Sequence, residues 1–210
     1  MIKNIVFDVG MVLVDFRWRE YMYDLGISKE HVDFLGRNII SSSYWDEMDL
    51  GVRDDICACG FFCDLYPEYA EEIKRVWDNM ADIVREYDYS EKMIAELKKK
   101  GFNVYLLSNY PPNMSRLHWP HFKFRKKVDG EVISGIEKVA KPDPAIYKLL
   151  CDRYGLVPGE CIFVDDREKN VKAAKLFGMQ GYVWIPVSKE NPAGDASKNL
   201  KKMLAIDLPL

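Results

Sequence analysis

The chain has 210 residues, of which 48% are apolar, and a formal net charge of −3 at pH 7. That length and apolar content allow a substantial core and exclude general disorder, while the dispersed charges of both signs argue against a nucleic-acid-binding surface. No apolar run reaches the roughly 20 residues of a membrane helix, and the short N-terminal run contains Asp8, so we expect no membrane partner and no signal peptide.

The first predicted element in chain order is the strand "IKNIVFDVG", an apolar run that ends in a glycine turn. From residue 16 to residue 87, apolar residues recur three or four positions apart, which is typical of helices, and no convincing strand is found. The next segment, "SEKMIAELKKKG", predicts a helix with Ser90 as its N-cap and Gly101 as its stop.

The second half of the chain alternates between strands and helices. The strand "FNVYLLSNY" precedes the helix "DPAIYKLLCDRYGL", and the strand "CIFVDD" precedes the helix "REKNVKAAKLFGM", which ends at Gly178. A last strand, "GYVWIPV", follows. Alternating elements and near-continuous apolar strands predict a parallel α/β sheet with helices on both faces, formed by residues 1–15 and 88–210, with residues 16–87 as a helical insert.

The five cysteines are an odd number and lie mostly beside apolar residues, which indicates a reducing, cytoplasmic setting. Cys57, Cys59 and Cys63 form a C-x-C-x3-C group. A zinc site there would need a fourth ligand, and the three histidines are not spaced as a partner pair. We therefore expect these thiols to pack as small apolar side chains.

Polar side chains follow the predicted core strands at their carboxyl ends, which is where open parallel sheets bind ligands. An amine stands just before one of the predicted helices, in "KPDPAIY". Together these segments bring acids, a hydroxyl, an amide and an amine to one edge of the sheet. The residues are Asp8, Ser108, Asn109, Lys141, Asp165 and Asp166.

This set of side chains fits phosphoryl transfer. The carboxylate of Asp8 can attack phosphorus and form an aspartyl phosphate, and Lys141 adds positive charge near a dianionic substrate. The Ser108 hydroxyl, nearby backbone N–H groups and the Asn109 amide are candidate ligands for the phosphate oxygens. We therefore predict that the partner is a small-molecule phosphate ester.

The acids would repel that ester unless a cation lay between them. Mg²⁺ prefers oxygen ligands and commonly takes one or two carboxylates together with phosphate and water. Asp8 and Asp166 can supply the carboxylates, and the backbone carbonyl of Gly10 is a further ligand. A magnesium ion would also offset the mutual repulsion of Asp8, Asp165 and Asp166.

The segments "FDVGMVL", "LLSN", "KPDPAIY" and "FVDDREKNVKAA" together resemble the four motifs of the haloacid dehalogenase superfamily. The resemblance implies a Rossmann-like sheet with a helical cap inserted after strand one. It also implies that Asp8 is the nucleophile, that Ser108 binds phosphate, and that Lys141 steadies the nucleophile and the phosphoryl group.

In the fourth motif, the resemblance implies that Asp166 is the direct metal ligand, with Asp165 beside it and Asn170 in a supporting position. The first motif departs from the usual D-x-D of the phosphatases, because Gly10 stands where the general acid–base Asp would be. This D-x-G pattern resembles a subgroup that includes bacterial phosphatases acting on glucose 1-phosphate. Asp15 is a candidate replacement for the missing acid, although it also suits a turn or a helix cap.

The insert contains a stretch, "YWDEMDLG", in which aromatic and acidic groups alternate as they do in many sugar sites. It makes Trp45, Asp46, Glu47 and Asp49 candidate contacts to a sugar phosphate. The alternative is that Trp45 packs in the core of the insert and the acids are solvated.

Other functions stay open at this stage. A metal-independent 2-haloacid dehalogenase also lacks the second Asp, but its first motif carries an aromatic residue at the position of Gly10, and its fourth motif has no paired acids. A phosphomutase normally needs the missing acid, and a non-catalytic module that binds a phosphate ligand would not need the nucleophile. We expect a monomer or weak dimer.

Overall fold

A computed structural model describes residues 1–185 together with Lys201 and Leu204. Within these residues the strands are β1 (Asn4–Phe7), β2 (Val14–Phe16), β3 (Val84–Glu86), β4 (Asn103–Ser108), β5 (Gly130–Ile133), β6 (Cys161–Asp165) and β7 (Gln180–Val183). Five of them form a parallel sheet with the order β5-β4-β1-β6-β7, and β2 and β3 form a separate antiparallel pair.

The helices form two groups, one between β2 and β3 and one that covers the parallel sheet. The first group is α1 (Trp18–Asp24), α2 (Lys29–Leu35), α3 (Ser43–Asp49), α4 (Ala58–Leu65) and α5 (Ala70–Asp78), with a π-helical turn at Gly36–Ile40. The second group is α6 (Ser90–Lys99), α7 (Pro112–His118), α8 (Ser134–Glu137), α9 (Pro144–Tyr154) and α10 (Glu168–Phe177).

The sheet is buried on both faces, as the apolar strands predict. β1 lies at its centre, with Phe7 opposite Leu106 of β4 and Val164 of β6. One face of the sheet packs against α6, and the other packs against α9 and α10, where Ile146 is fully buried. These layers confirm the predicted α/β fold with a parallel sheet and helices on both sides.

The segment between β2 and β3 has a hydrophobic core of its own, which includes Tyr21, Phe62 and Val76. The prediction that residues 16–87 contain no strand is wrong at both ends of that range. Phe16 pairs with Val84 in the β2–β3 ribbon. The chain enters the insert through β2 and leaves it through β3, so this ribbon holds the two ends of the insert together. Three-residue strands are too short to show a periodicity of two, so the sequence pattern missed them.

Three further expectations need correction. β5 was not predicted, because it is a four-residue strand at the edge of the sheet. Ser90 is the first residue of α6 rather than its N-cap, and its hydroxyl donates to the carbonyl oxygen of Leu13 at 2.6 Å. The last predicted strand is confirmed up to Val183, and its final two positions, 186 and 187, lie outside the described residues.

The three clustered cysteines are all free thiols. Cys59 and Cys63 pack against the core of the insert as expected, whereas Cys57 is exposed. In the part of the chain that the structure describes, no group of side chains able to share a metal ion includes a cysteine.

The insert is tied to the helices of the sheet by a buried carboxylate. Asp55 accepts hydrogen bonds from the backbone N–H groups of Asn113 at 3.0 Å and Met114 at 2.8 Å, and from the Asn113 amide at 2.8 Å. These donors lie in the first turn of α7, where helix N–H groups have no partner within the helix. Asp55, a residue of the insert, therefore caps α7, which belongs to the helices around the parallel sheet.

We expect Asp55→Ala to lower the free energy of unfolding by about 1–2 kcal/mol, since the first turn of α7 loses its acceptor. Urea unfolding measures the change. The matched control is Asp54→Ala, whose exposed carboxylate accepts a hydrogen bond from the nearby N–H of Ile56 at 2.9 Å. Equal losses of unfolding free energy in the two variants would show that the contact between Asp55 and α7 does not stabilise the protein.

Candidate active site

A cavity of about 340 Å³ lies between the carboxyl edge of the sheet and the helical insert. Five of the residues predicted from the sequence line it: Asp8, Gly10, Asn109, Lys141 and Asp166. The chain delivers them from the ends of β1, β4 and β6 and from the loop before α9, because the parallel strands all end at this edge.

Two further residues predicted at this edge of the sheet, Ser108 and Asp165, are buried behind the cavity wall. The Ser108 hydroxyl has no hydrogen-bond partner among the described residues. An unpaired buried hydroxyl is costly, and native proteins rarely leave one without a function or a ligand. Its place at the end of β4, directly before Asn109, suits a group that meets a phosphate oxygen.

The acids form a compact cluster. Asp8, Asp165 and Asp166 each place a carboxylate oxygen within 4.8 Å of the others. Burial raises the pKa of Asp8 to about 7, and the charges of Asp165 and Asp166 act in the same direction, while Lys141 opposes them. Burial and the neighbouring Asp165 also raise the pKa of Asp166. A divalent cation would remove this repulsion, so the oxygen-only donor set fits Mg²⁺.

Lys141 bridges two of these acids. Its Nζ atom lies 2.8 Å from Oδ1 of Asp8 and 2.7 Å from Oδ2 of Asp165, and its side chain is 1% exposed. Burial alone would lower the pKa of Lys141, but the two carboxylates outweigh burial and hold that pKa above its usual value. The amine is therefore a fixed positive charge beside Asp8.

The side chain of Asn109 holds Lys141 in place. Its Nδ2 donates to the carbonyl oxygen of Lys141 and its Oδ1 accepts from the Lys141 N–H, both at 2.9 Å. Asn109 is thus a positioning residue for the lysine. The sequence-based prediction that it also binds substrate stays a prediction.

The paired acids of the fourth motif have different surroundings. Asp165 also accepts from the backbone N–H of Arg167 at 2.8 Å and from Nδ2 of Asn170 at 3.0 Å, so hydrogen bonds surround it. Asp166 lines the cavity instead. Asn170 thus contacts Asp165 and also lines the cavity, and its supporting role in the motif stays a prediction.

Gly10 leaves room on the cavity side of the first motif. Its φ lies outside the left-handed region, and no heavy atom lies within 4 Å of the position that a Cβ would occupy. Asp15 does not fill this space: its neighbours in β2, Val14 and Phe16, line the cavity, and side chains alternate along a strand. The structure gives no support to Asp15 as the replacement acid.

The insert contributes Trp45, Asp46 and Asp49 to the cavity, while Glu47 forms a surface ion pair with Arg53 at 2.6 Å. Glu47 therefore does not belong to the cavity, contrary to the sequence-based prediction. The two alternatives for Trp45 are both realised: it packs in the core of the insert, and it also lines the cavity.

Among the ionisable side chains that line the cavity in the described part of the chain, sequence reasoning missed three, Tyr110, His118 and Arg167. The Tyr110 hydroxyl lies 2.6 Å from Nδ1 of His118, whose Nε2 lies 2.9 Å from the carbonyl oxygen of Met80. Burial lowers the pKa of His118, so its ring is neutral and its Nε2–H donates to that carbonyl. Tyr110 directly follows the second motif and Arg167 lies within the fourth, next to the paired acids, and those positions were the only available signal.

None of the helices in the described part of the chain combines the length and the apolar composition that a bilayer span requires.

Comparisons with known proteins find similar sequences and folds. A family model described as haloacid dehalogenase-like hydrolase matches residues 2–178. The sesquiterpene phosphatase astK of Aspergillus oryzae is 30% identical over 184 residues, which are 85% of this chain and 88% of that protein.

Two solved structures show the same fold. An enzyme of the HAD family from Bacteroides thetaiotaomicron, crystallised with magnesium and inorganic phosphate, gives a TM-score of 0.66 at 23% identity, over 90% of this chain and 97% of that one. A dehalogenase gives a TM-score of 0.73 at 20% identity, over 98% of each chain.

Proposed function

This chain belongs to the haloacid dehalogenase-like hydrolase family, and from that premise we propose that it is a Mg²⁺-dependent phosphatase of small phosphate monoesters that works through an aspartyl phosphate. The observation that carries the proposal is the cluster of Asp8, Asp165 and Asp166, whose oxygens lie within 4.8 Å of one another. A site built to work without a cation gains nothing from three mutually repelling carboxylates around one lysine.

Each residue then has a role that its surroundings support. Asp8 attacks phosphorus, and Lys141 orients that carboxylate through its 2.8 Å contact. Asp8, Asp166 and the carbonyl of Gly10 would hold Mg²⁺, which when bound neutralises charge on the phosphate oxygens. The unpaired hydroxyl of Ser108 would bind one of those oxygens.

The leaving group would lie against the insert, which we propose acts as a cap over the cavity, built from residues 16–87. Trp45, Asp46 and Asp49 support a sugar phosphate, because sugars are held by aromatic faces and carboxylate hydrogen bonds. Much of the remaining wall is apolar, including Phe16 and Trp18. That wall favours a second candidate substrate class, a monoester with an apolar leaving group, as the name of the Aspergillus relative suggests.

Phosphate release from a panel of aryl, sugar and alkyl phosphates, with and without Mg²⁺, tests the proposal. Release that requires Mg²⁺ supports the phosphatase. Chloride release from 2-chloropropionate without metal would instead establish a metal-independent dehalogenase. This alternative is tested because a dehalogenase has a similar fold. Binding of inorganic phosphate with neither activity would point to a non-catalytic module.

We expect Asp166→Ala to weaken Mg²⁺ binding by more than about 100-fold and Asn170→Ala by about 10-fold, because the Asn170 amide donates to Asp165 and supplies no carboxylate to the metal. Calorimetric titration of the two variants with Mg²⁺ measures the difference. Equal affinities would remove Asp166 from the metal site.

We also propose that the protein acts in the cytoplasm as a monomer or weak dimer. Its five cysteines, all free thiols, support the reducing setting.

A further inference from the structure

We propose that Asp49, the last residue of α3 in the insert, is the general acid–base residue of this site. It would replace the aspartate that phosphatases of this family usually carry at the position of Gly10. The inference rests on the phosphatase function proposed above and names the residue that exchanges protons with the leaving group and with water. It differs from the sugar-binding role that the sequence indicated for Asp49.

The position of Asp49 in the cavity supports this role. Among the described residues, four carboxylates line the cavity: Asp8, Asp46, Asp49 and Asp166. Asp8 is the proposed nucleophile and Asp166 a proposed metal ligand. The two carboxylates left for proton transfer, Asp46 and Asp49, both belong to the insert. Asp49 is close enough to the reaction centre for the charges of Asp8 and Lys141 to act on its carboxyl group.

The backbone holds Asp49 against the sheet side of the cavity. The Ser134 hydroxyl donates to the carbonyl oxygen of Asp49 and accepts from the N–H of Tyr110 at 3.0 Å. Two residues on, Gly51 has a φ of +74°, and a Cβ there would lie 2.1 Å from the carbonyl oxygen of Gly135. The end of α3 thus packs closely on the core, and a proton donor needs such fixed placement.

The surroundings of Asp49 also suit proton exchange near neutral pH. Burial raises the pKa of Asp49 to about 7, the charges of Asp46 and Asp8 add to this, and Arg167 and Lys141 act against it. A further ionisable neighbour is Tyr110, whose own pKa is raised by burial first and then by Asp49. A general acid works best when its pKa lies near the operating pH.

The proton balance closes over the two steps of the reaction. In the first, an oxygen of Asp8 bonds to phosphorus, the bond from phosphorus to the leaving oxygen breaks, and protonated Asp49 gives its proton to that oxygen. In the second, a water oxygen bonds to phosphorus, the bond to Asp8 breaks, and the Asp49 carboxylate takes the water proton. Free phosphate leaves, and both side chains return to their starting states.

The sign of the pH dependence follows from this assignment. Asp49 must be protonated to act as the acid, so its contribution is present below the raised pKa and is lost as pH rises through about 7. We expect kcat/KM for an alkyl phosphate to fall across this range in the wild-type protein. The pH profile of Asp49→Asn should lack this fall in kcat/KM. Ionisation of the substrate affects both proteins equally, so it cannot account for the difference.

The experiment compares two esters, p-nitrophenyl phosphate with a good leaving group and an alkyl phosphate with a poor one, in the presence of Mg²⁺. The ratio of kcat/KM values isolates transfer to Asp8, because release from Asp8 is the same for every ester. We expect Asp49→Asn to lower kcat/KM for the alkyl ester by about 10²–10⁴-fold and for the aryl ester by less than about 10-fold.

Two further variants sharpen the comparison. Asp46→Asn, one helical turn earlier on the same wall, should change both esters alike and leave their ratio intact. Adding Gly10→Asp to Asp49→Asn should recover at least about 10-fold of the alkyl activity, since a general acid is worth that much and the space beside Gly10 is open. Asp49→Ser replaces Asp49→Asn if thermal unfolding shows that the latter is not folded.

Equal losses for both esters in Asp49→Asn, with the fall in kcat/KM at higher pH retained, would overturn the inference and leave Asp49 a binding or packing residue. That outcome is distinct from failure of the phosphatase proposal, which would appear as a wild-type protein that hydrolyses neither ester with Mg²⁺. In that case the inference fails with the function on which it rests.

Discussion

Replacing Asp8 by asparagine is expected to lower phosphatase turnover by about 10⁴-fold or more, because the proposed nucleophile is lost. The variant should stay folded. Asp8 lies in a cluster in which burial and two other acids already raise its pKa to about 7, so a neutral side chain of the same shape relieves repulsion. Steady-state release of phosphate measures the loss, and thermal unfolding checks the fold.

The matched control for Asp8→Asn is Asp15→Asn, which makes the same chemical change on a strand residue outside the cavity wall. It should keep near wild-type turnover. Trapping of the acyl phosphate with hydroxylamine should label the wild-type protein and not Asp8→Asn. Turnover above about 1% of the wild-type rate in Asp8→Asn would remove Asp8 from the nucleophile role.

Lys141→Met is expected to have the second largest effect, on stability as well as on rate. The change leaves the carboxylates of Asp8 and Asp165 buried without their shared cation, which should cost about 3–5 kcal/mol of unfolding free energy. The loss of a fixed charge beside the phosphoryl group should lower kcat/KM by about 10²–10³-fold. Added Mg²⁺ should recover part of the stability, since it supplies positive charge to the same acids.

The comparison variant is Lys148→Met, which breaks an exposed ion pair with Asp152 on α9. Surface pairs of this kind contribute about 0–1 kcal/mol. Urea unfolding at pH 7 should therefore separate the two lysine variants clearly. A loss in Lys141→Met no larger than that in Lys148→Met would contradict the bridging role of Lys141.

The sheet and its functional edge were predictable because long-range packing and local pattern agree there. A strand buried on both faces must be a continuous apolar run, and β1, β4 and β6 show that pattern in "IVF", "VYLL" and "IFV". Parallel strands end at the same edge, so the polar residues that follow them had to converge. The structure brings Asp8, Lys141 and Asp166 to one cavity for that reason.

What the sequence did not show depends on contacts between distant segments. The β2–β3 ribbon forms because Phe16 meets Val84, and neither segment alone has a strand pattern. Asp55 reads locally as a loop acid, and only the fold brings it to the first turn of α7. Glu47 and Asp49 occupy the same acidic stretch, yet one faces solvent and the other lines the cavity.

The central place of β1 in the sheet has a consequence for the order in which the protein assembles during synthesis. Asn4 of β1 has its two neighbours in the sheet 99 and 157 residues further along the chain. Helices of the insert such as α4 and α5 contact near neighbours in sequence, and local contacts form faster than distant ones. We expect the insert to fold on the ribosome while β1 still lacks a partner, so Asp8 meets Asp165 and Asp166 only when most of the chain has emerged.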